Sequence, residues 1–340
     1  MAAIAKPPGR SAARASCRDR GVTPLPLRGA SDKDRLAKAP RCQQIARSAA
    51  SKSENDSMTP VVAVIAPGMM GAAVGKRLVD HGLKVLTSLQ GRSAETRERA
   101  SAAGMVAASD EEIAATDFIL SILPPGDAVA LAQRFAGALT ASNSKPVYVD
   151  CNAVSPRTVE RIAAAIAPTG SPFVDAGIIG APPKPNDAGP RFYASGPHAP
   201  RFATLKDFGL DVRVLGGPMN AASAVKMSYA GITKGTQALG AAMLLAATRG
   251  GTADALFAEL QGSQPQMLAW LKRNLALMPP KAYRWVAEMH EIAEFFGHDP
   301  SAHALYLGAA HFYEQIARDF ETDKTAVAAL EAFLNKGGAS

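Results

Sequence analysis

The sequence is poor in the features that mark secreted or membrane-spanning proteins. Its 340 residues include three cysteines, Cys17, Cys42 and Cys151, which are too few and too scattered for a disulfide framework or a zinc site. It has no apolar run of the ~18 uncharged residues that a membrane-spanning helix needs, so we expect no membrane partner. With 47% hydrophobic and 20% charged residues, the chain is typical of a globular protein. The scarcity of cysteine fits a reducing compartment, and we expect the cytoplasm.

A charged binding surface is lacking as well. The net charge of +7 arises in residues 1–57, which hold 12 Lys and Arg against 5 Asp and Glu, whereas the rest of the chain holds 25 of each kind. A surplus confined to one terminal segment does not build a basic face, so we expect no nucleic-acid partner.

The N-terminal segment itself, residues 1–57, is rich in Ala, Arg and Ser and has no apolar periodicity. Three interpretations stay open. The segment is a disordered extension, or an upstream mis-start with Met58 beginning the protein, or a transit peptide to an organelle. Its five acidic residues and its prolines count against the last of these. The fold is therefore derived from Met58 onward.

From Met58 to Gly217 the pattern predicts strands that alternate with helices. The strand segments are short and apolar, and helical segments at 94–103, 128–139 and 156–167 separate most of them. The predicted strands are 61–66, 83–89, 117–123, 146–150, 173–179, 191–195 and 212–216. This alternation favours an α/β fold, a Rossmann-type doubly wound parallel sheet covered on both faces. After Pro218 only helical segments follow, so we predict an all-helical C-terminal domain over residues 218–335.

The first strand runs into a glycine turn, "VIAPGMMG", which matches the pattern G-x-G-x-x-G with Ala66 at its first position. Gly68 would let the backbone approach a pyrophosphate, and Gly71 would let the helix pack closely on the strand. The helix that starts at Met69 and Met70 would offer its free N–H groups to phosphate. Because the motif stands between a strand and a helix, it predicts a dinucleotide site.

The residues after the second strand indicate which nicotinamide cofactor binds. NAD-specific folds place an acidic residue there for the ribose 2′-hydroxyl, but this chain has no acid before Glu95. It has Arg92 instead, with Ser88 and Ser93 beside it, and these three could hold a 2′-phosphate. We therefore predict a preference for NADP(H) over NAD(H).

A long helix over residues 219–248 is almost without charge, yet it contains Lys226. Because an uncharged helix of this length must be covered on all sides, we predict that other helices and a partner subunit pack around it, giving a homodimer through the helical domain. On the helix, Tyr229, Ala230 and Thr233 share the face of Lys226. The hydroxyls of Tyr229 and Thr233 would then flank an ammonium group that is held in a pocket.

Five segments together resemble the β-hydroxyacid dehydrogenases, the family of 3-hydroxyisobutyrate, tartronate-semialdehyde and 6-phosphogluconate dehydrogenases. The resemblance covers Val61 to about Gly250, with a weaker helical similarity to a 6-phosphogluconate dehydrogenase-like C-terminal domain beyond it. The segments are "GMMGAAV", "SILPPG", "VDCNAVSP", "DAGIIGAP" and "GPMNAASAVKMSYA".

The resemblance implies roles for single residues. The catalytic lysine of the family falls on Lys226, with Tyr229 as a second candidate. Leu123 and Pro124 would lie against the cofactor, with Asn152 near the nicotinamide. Gly180 would offer its N–H to an anionic substrate, and Thr233 would contact that substrate. The sequence departs from the family's substrate-binding pattern at Ile179, Asn220, Ala222, Tyr229, Ala230 and Thr233.

We therefore expect an NADP(H)-dependent oxidoreductase that interconverts a small alcohol and a carbonyl compound, with Lys226 as acid and base. Two alternatives stay open: an imine reductase-like enzyme, against which the retention of Lys226 counts, and a non-catalytic NADP-binding sensor. No metal site is expected, because His290, His298, His303 and His311 lack ligand spacing.

Overall fold

An eight-stranded sheet forms the first part of the structure, a computed structural model that describes residues 59–337. The strand order is β3-β2-β1-β4-β5-β6-β7-β8. The strands are β1 (Val62–Ile65), β2 (Val85–Thr87), β3 (Val106–Ala107), β4 (Phe118–Ser121), β5 (Val147–Asp150), β6 (Phe173–Ile179), β7 (Arg191–Ser195) and β8 (Asp211–Val214). The expectations for residues 1–57, for Met58 as a start, and for Cys17 and Cys42 lie outside the described residues.

Helices cover both faces of this sheet. Alternate residues of one strand enter different cores: Val62 and Val64 join one apolar cluster, and Ala63 and Ile65 join the other. Strands buried in this way are apolar throughout, as the sequence of β1 is. The helices of this part are α1 (Met69–Asp80), α2 (Ala94–Ala102), α3 (Asp110–Ala114), α4 (Ala128–Ala141), α5 (Pro156–Ile166) and α6 (Ala199–Phe202), with 3₁₀ turns at Pro125–Asp127, Ala167–Thr169 and Ala203–Phe208.

The predicted direction of one strand is wrong. All neighbouring strands are parallel except β6 and β7, which pair antiparallel with Ile179 opposite Arg191. A parallel return needs a crossover of a dozen or more residues, usually a helix, whereas residues 180–190 form a shorter loop without one. The chain therefore turns back at the same edge of the sheet. The sequence pattern also missed β3 and α3, which are among the shortest elements of the sheet domain.

The second part of the structure is entirely helical. Its helices are α7 (Ala221–Arg249), α8 (Ala253–Ser263), α9 (Pro265–Leu275), α10 (Ala282–Phe295), α11 (Pro300–Glu321) and α12 (Thr325–Leu334), with a 3₁₀ turn at Pro279–Lys281. A sheet followed by helices confirms the predicted fold class. The predicted boundary near Gly217 and Pro218 falls in the segment between β8 and α7. Among the described residues, none of the helices combines the length and the apolar character that a bilayer crossing requires.

One face of α7 packs on the helical core through residues such as Met227, Ala241 and Leu244. The opposite face is exposed in the single chain although it is apolar: Ile232 is 70% exposed and Leu239 is 63% exposed. Coverage of this face by a partner subunit stays a prediction.

Contacts from α10 attach the helical part to the sheet part. The Glu291 carboxylate accepts hydrogen bonds from the N–H of Ser155, at 2.7 Å, and from the hydroxyl of Thr158, at 2.9 Å. Glu291 therefore caps the start of α5 from another element. Arg157 and Glu294 form an ion pair, at 2.6 Å, beside it.

Candidate active site

The glycine turn between β1 and α1 has the geometry that its sequence predicts. A Cβ atom at Gly71 would lie 2.0 Å from the Ala66 carbonyl oxygen, so only glycine allows the helix to pack this closely on the strand. A Cβ atom at Gly68 would meet nothing within 4 Å, so the backbone is open on that side. No side chain caps α1, and its first turn has no acidic residue. The N–H groups at the start of α1 therefore suit a phosphate group.

Met69 and Met70 follow this turn with different surroundings. Met69 is exposed, whereas Met70 packs partly against the core of the sheet domain. Contact of both residues with the cofactor stays a prediction.

The three residues predicted to hold a 2′-phosphate all lie just after β2, but two of them have other partners. Ser88 is buried, and its hydroxyl accepts a hydrogen bond from Arg134, at 2.8 Å. Ser93 caps α2 by accepting the N–H of Thr96, at 3.3 Å. Arg92 and Ser93 are both exposed. The binding of a 2′-phosphate by these residues stays a prediction.

Two arginines near this edge, Arg99 and Arg134, were not anticipated from the sequence. Arg99 donates to the carbonyl oxygen of Pro67, at 3.3 Å, and so lies beside the glycine turn while pairing with Glu95. Arg134, which contacts Ser88, forms two hydrogen bonds with Asp110. The spacing of Glu95 and Arg99, four residues apart on a helix, was a signal for their pairing. No signal in the sequence indicated that Arg99 lies beside the glycine turn.

Asn152 is buried and supports the backbone at Leu123. Its Oδ1 atom accepts the N–H of Leu123, at 2.7 Å, and its Nδ2 atom donates to the Ser121 hydroxyl, at 2.8 Å, and to Asp150. The ends of β4 and β5 are thereby joined, and the exposed Pro124 follows directly. Contact of the cofactor with Leu123, Pro124 and Asn152 stays a prediction. Asn152 would then also hold the backbone of Leu123 in place.

Lys226 lies at the carboxyl edge of the sheet. Because β1, β4, β5 and β6 are parallel, the glycine turn and the end of β6 share this edge. The Lys226 side chain is partly buried, and its Nζ atom donates to the carbonyl oxygen of Ile178, at 2.8 Å. A Cβ atom at Gly177 would lie 2.9 Å from the Lys226 Cβ atom, so α7 approaches β6 closely at this point. The ammonium group is thus held at the edge where the turn lies.

The other residues predicted to contact the substrate are Tyr229, Thr233 and Gly180. Tyr229 is 51% exposed. The Thr233 hydroxyl donates to the Tyr229 carbonyl oxygen, at 2.9 Å, so its proton is used within α7. Gly180 is the first residue of the loop after β6. Its φ of +135° is a conformation that favours glycine. Their roles toward a substrate stay predictions.

An ion pair near Lys226 was not anticipated. Lys234 and Glu288 contact each other with side chains that are 16% and 14% exposed. The Lys234 ammonium lies 5.1 Å from the centre of the Trp285 ring, and the Tyr313 hydroxyl donates to the Lys234 carbonyl oxygen, at 2.6 Å. Burial lowers the pKa of Lys234, although the charge of Glu288 opposes it. The positive charge of Lys226 lowers it further.

Two fully buried carboxyl groups, Asp150 and Asp175, stand opposite each other on β5 and β6. Burial raises the pKa of Asp175 to about 6, although hydrogen bonds from Ser223 and Ser195 oppose the shift. Burial and the charge of Asp175 raise the pKa of Asp150 to about 8. The Asp150 Oδ2 atom has no hydrogen-bond partner among the described residues. Both aspartates stand in strand motifs of the sequence, but the sequence does not show that they are opposite each other on neighbouring strands.

Two segments of the chain match known families. Residues 61–208 match the NAD binding domain of 6-phosphogluconate dehydrogenase, and residues 247–316 match a domain of unknown function, DUF1932. The first segment is therefore similar to a domain of a β-hydroxyacid dehydrogenase. This confirms the resemblance that the sequence motifs indicated, and it gives the first part of the chain as an NAD(P)-binding domain.

One curated protein and several solved structures are similar to this chain as well. An uncharacterized 28.5 kDa protein from Methanothermus fervidus is 28% identical over 184 residues, which are 54% of this chain and 69% of that protein. The structure of MTH1747, a conserved protein of unknown function described as similar to 3-hydroxyacid dehydrogenases, is 29% identical with a TM-score of 0.60, covering 79% of this chain and 98% of that one. The 3-hydroxyisobutyrate dehydrogenase of Mycobacterium tuberculosis, solved with L-serine, shares the fold at 19% identity, with a TM-score of 0.61 over 81% of this chain and 99% of that one.

Proposed function

We propose that this protein is an NADP(H)-dependent oxidoreductase that interconverts a small alcohol and a carbonyl compound, with Lys226 as its acid and base. The observation that carries the proposal is the position of the Lys226 Nζ atom. It is partly buried and fixed on the Ile178 carbonyl at the edge that also holds the glycine turn. An ammonium group at that edge suits a reaction on a substrate oxygen beside a dinucleotide.

The residues present fit a nicotinamide dinucleotide. The open backbone at Gly68 and the uncapped start of α1, with Met69 and Met70, would hold the pyrophosphate. Leu123 and Pro124 would lie against the cofactor. Arg92 would pair with a 2′-phosphate. Ser88 and Ser93 would stabilise the loop between β2 and α2 that carries Arg92. The absence of an acid directly after β2 supports NADP(H) over NAD(H).

The cofactor, when bound, supplies the acceptor or donor of hydride. In the oxidation, the unprotonated amine of Lys226 would take the proton of the substrate hydroxyl. In the reduction, its ammonium would donate a proton to the oxygen that becomes the hydroxyl and would stabilise negative charge there. The Gly180 N–H would bind an anionic group of the substrate, and Tyr229 and Thr233 would border the same space.

Steady-state turnover with a panel of small hydroxyacids, the corresponding aldehydes and ketones, and a cyclic imine, each with NADP(H) and NAD(H), tests the proposal. We expect turnover with NADP(H). Lys226→Ala should lower kcat/KM by about 10²- to 10⁴-fold, the range that a proton-transferring side chain contributes. The affinity for NADP(H), measured by fluorescence titration, should not change. Lys206→Ala, at an exposed lysine of the sheet domain, is the matched control.

Three outcomes would contradict the proposal. Wild-type activity of Lys226→Ala would remove the role of the lysine. Tight NADP(H) binding without turnover of any compound would favour a sensor. Turnover of the imine but of no alcohol or carbonyl compound would favour an imine reductase.

A further inference from the structure

The start of α7 lacks a cap of its own. The residue before the helix, Asn220, makes no side-chain hydrogen bond to the first turn, and the turn contains no acidic residue. The Asn220 side chain donates instead to Glu160 of α5, at 3.2 Å. A helix whose first N–H groups are buried without partners would be destabilised, so the acceptors must come from elsewhere.

Strands β6 and β7 supply these acceptors. The Asp175 carboxylate accepts the N–H of Ser223 at 2.8 Å and the hydroxyl of Ser223 at 2.6 Å. The Ser195 hydroxyl accepts the N–H of Ala222 at 2.9 Å and donates to the Met219 carbonyl oxygen at 2.8 Å. A carboxylate from the middle of the sheet thus occupies the position of a helix cap, where it also faces the positive end of the helix.

The same strand holds Lys226 at two further points. Gly177 lies two residues after Asp175, and its missing side chain leaves room for the Cβ atom of Lys226 and for the Ala222 carbonyl oxygen, 3.0 Å from where a Cβ would be. Ile178 accepts the hydrogen bond from the Lys226 Nζ atom. Ser223, the residue bound by Asp175, precedes Lys226 by three residues and so lies one turn below it on the same face. The register of α7 on β6 therefore determines where the ammonium group lies.

We propose that Asp175 is a positioning residue for Lys226: by capping α7 from β6, it sets the register that places the ammonium group at the carboxyl edge of the sheet. This inference rests on the proposed role of Lys226. Burial of a carboxylate is unfavourable unless hydrogen bonds compensate it. The buried Asp175 has such hydrogen bonds, two of them from Ser223 at the start of α7.

Three variants test the proposal. Asp175→Ala removes the cap. Asp175→Asn keeps an oxygen that can accept the N–H of Ser223, and Ser223→Ala removes the hydroxyl contact only. Asp117→Ala is the matched control, because the exposed Asp117 also accepts a backbone N–H, that of Val61, at 2.8 Å, but at the opposite edge of the sheet.

Two measurements are made on each variant: kcat and KM on the substrate identified for the wild type, and the rate at which acetic anhydride labels Lys226, read by mass spectrometry with the exposed Lys206 as internal reference. We expect Asp175→Ala to lower kcat by roughly 10- to 100-fold, since a shift of about 1 Å in a reacting group has effects of this size. KM and cofactor affinity should change far less. Lys226 should be labelled several-fold faster, because its hydrogen bond to Ile178 is loosened.

Asp175→Asn should recover most of kcat and the slow labelling of Lys226. If Asp175 only stabilised the fold, Asp175→Ala would lower the melting temperature and leave kcat and the labelling rate unchanged. Wild-type kcat and labelling in Asp175→Ala would overturn the proposal. If Asp175→Ala does not fold, Ser223→Ala decides: partial loss of kcat with faster labelling supports positioning, and wild-type values overturn it. Labelling needs no substrate, so a failure of the proposed function, with no turnover by the wild type, stays distinguishable from a failure of this inference.

Discussion

Asp150 lies in an environment that is unfavourable to a negative charge. Its Oδ1 atom is bound by Asn152, its Oδ2 atom has no partner among the described residues, and Asp175 faces it from β6. Ser121, Tyr148 and Cys151 also lie near it, and none of them is a cation. A carboxyl group in such a place favours its neutral form.

The raised pKa values of Asp150 and Asp175 make the stability of the protein depend on pH. The pKa values of Asp150 and Asp175, about 8 and about 6, exceed the ordinary value of 3.8. Between the ordinary value and these raised values, the folded protein therefore binds more protons than the unfolded chain. Its free energy of unfolding falls as the pH rises through that range. Melting temperatures between about pH 5 and about pH 8 should decline accordingly.

Asp150→Asn should reduce this decline and raise the melting temperature by a few degrees at about pH 8, because the amide keeps the oxygen bound by Asn152 and carries no charge. Differential scanning calorimetry across the pH range is the measurement, and Asp207→Asn, at an exposed aspartate, is the control. Melting curves of the variant that run parallel to those of the wild type would show that Asp150 does not cause the dependence.

Strand β6 and helix α7 approach each other closely where the two parts of the molecule meet. Gly177→Ala would place a methyl group 2.9 Å from the Lys226 Cβ atom and 3.0 Å from a backbone oxygen of α7. Since backbone cannot yield as a flexible side chain does, the helix must shift, and we expect a destabilisation of about 1–3 kcal/mol.

Urea unfolding would measure this loss, and kcat would report the displacement of Lys226. Gly137→Ala, at a helical glycine of α4 with nothing within 4 Å, is the matched control and should be neutral or slightly stabilising. Unchanged stability and kcat in Gly177→Ala would contradict the close packing described for this contact.

The elements also show what a sequence can and cannot reveal. Gly71, the strands before and after it, and the length of α7 follow from local patterns, because a tight turn and apolar periodicity are properties of neighbouring residues. The cap of α7 does not, since Asp175 and Ser223 are 48 residues apart. The pairing of Lys234 with Glu288, 54 residues apart, is hidden for the same reason. The direction of β7 depended on whether a short loop or a helix precedes it, which apolar patterning of the strand itself does not record.

The exposed face of α7 has the pattern of an interface between subunits. Its residues recur at alternating spacings of four and three: Val225, Tyr229, Ile232, Thr236, Leu239 and Met243. They carry no charge, and all are exposed in the single chain. A continuous apolar stripe of this kind, starting beside Lys226, favours burial against a second copy of the chain.

Ile232→Lys should therefore convert the expected homodimer into a monomer, measured by size-exclusion chromatography with light scattering over a range of concentrations. A charge in the middle of an apolar interface costs several kcal/mol when it is left unpaired. Val106→Lys, at an exposed valine on the edge strand β3, is the control. A wild type that is monomeric at all concentrations, or an Ile232→Lys variant that stays dimeric, would contradict the prediction.

The cap on α7 also bears on how the chain is made. Asp175 and Ser195 leave the ribosome before Ala222 and Ser223 do, so the acceptors for the first turn of the long helix already exist when its amides are synthesised. The C-terminal third of the chain, released alone, would lack them. Vectorial synthesis from the N-terminus thus delivers the template before the helix that is completed upon it.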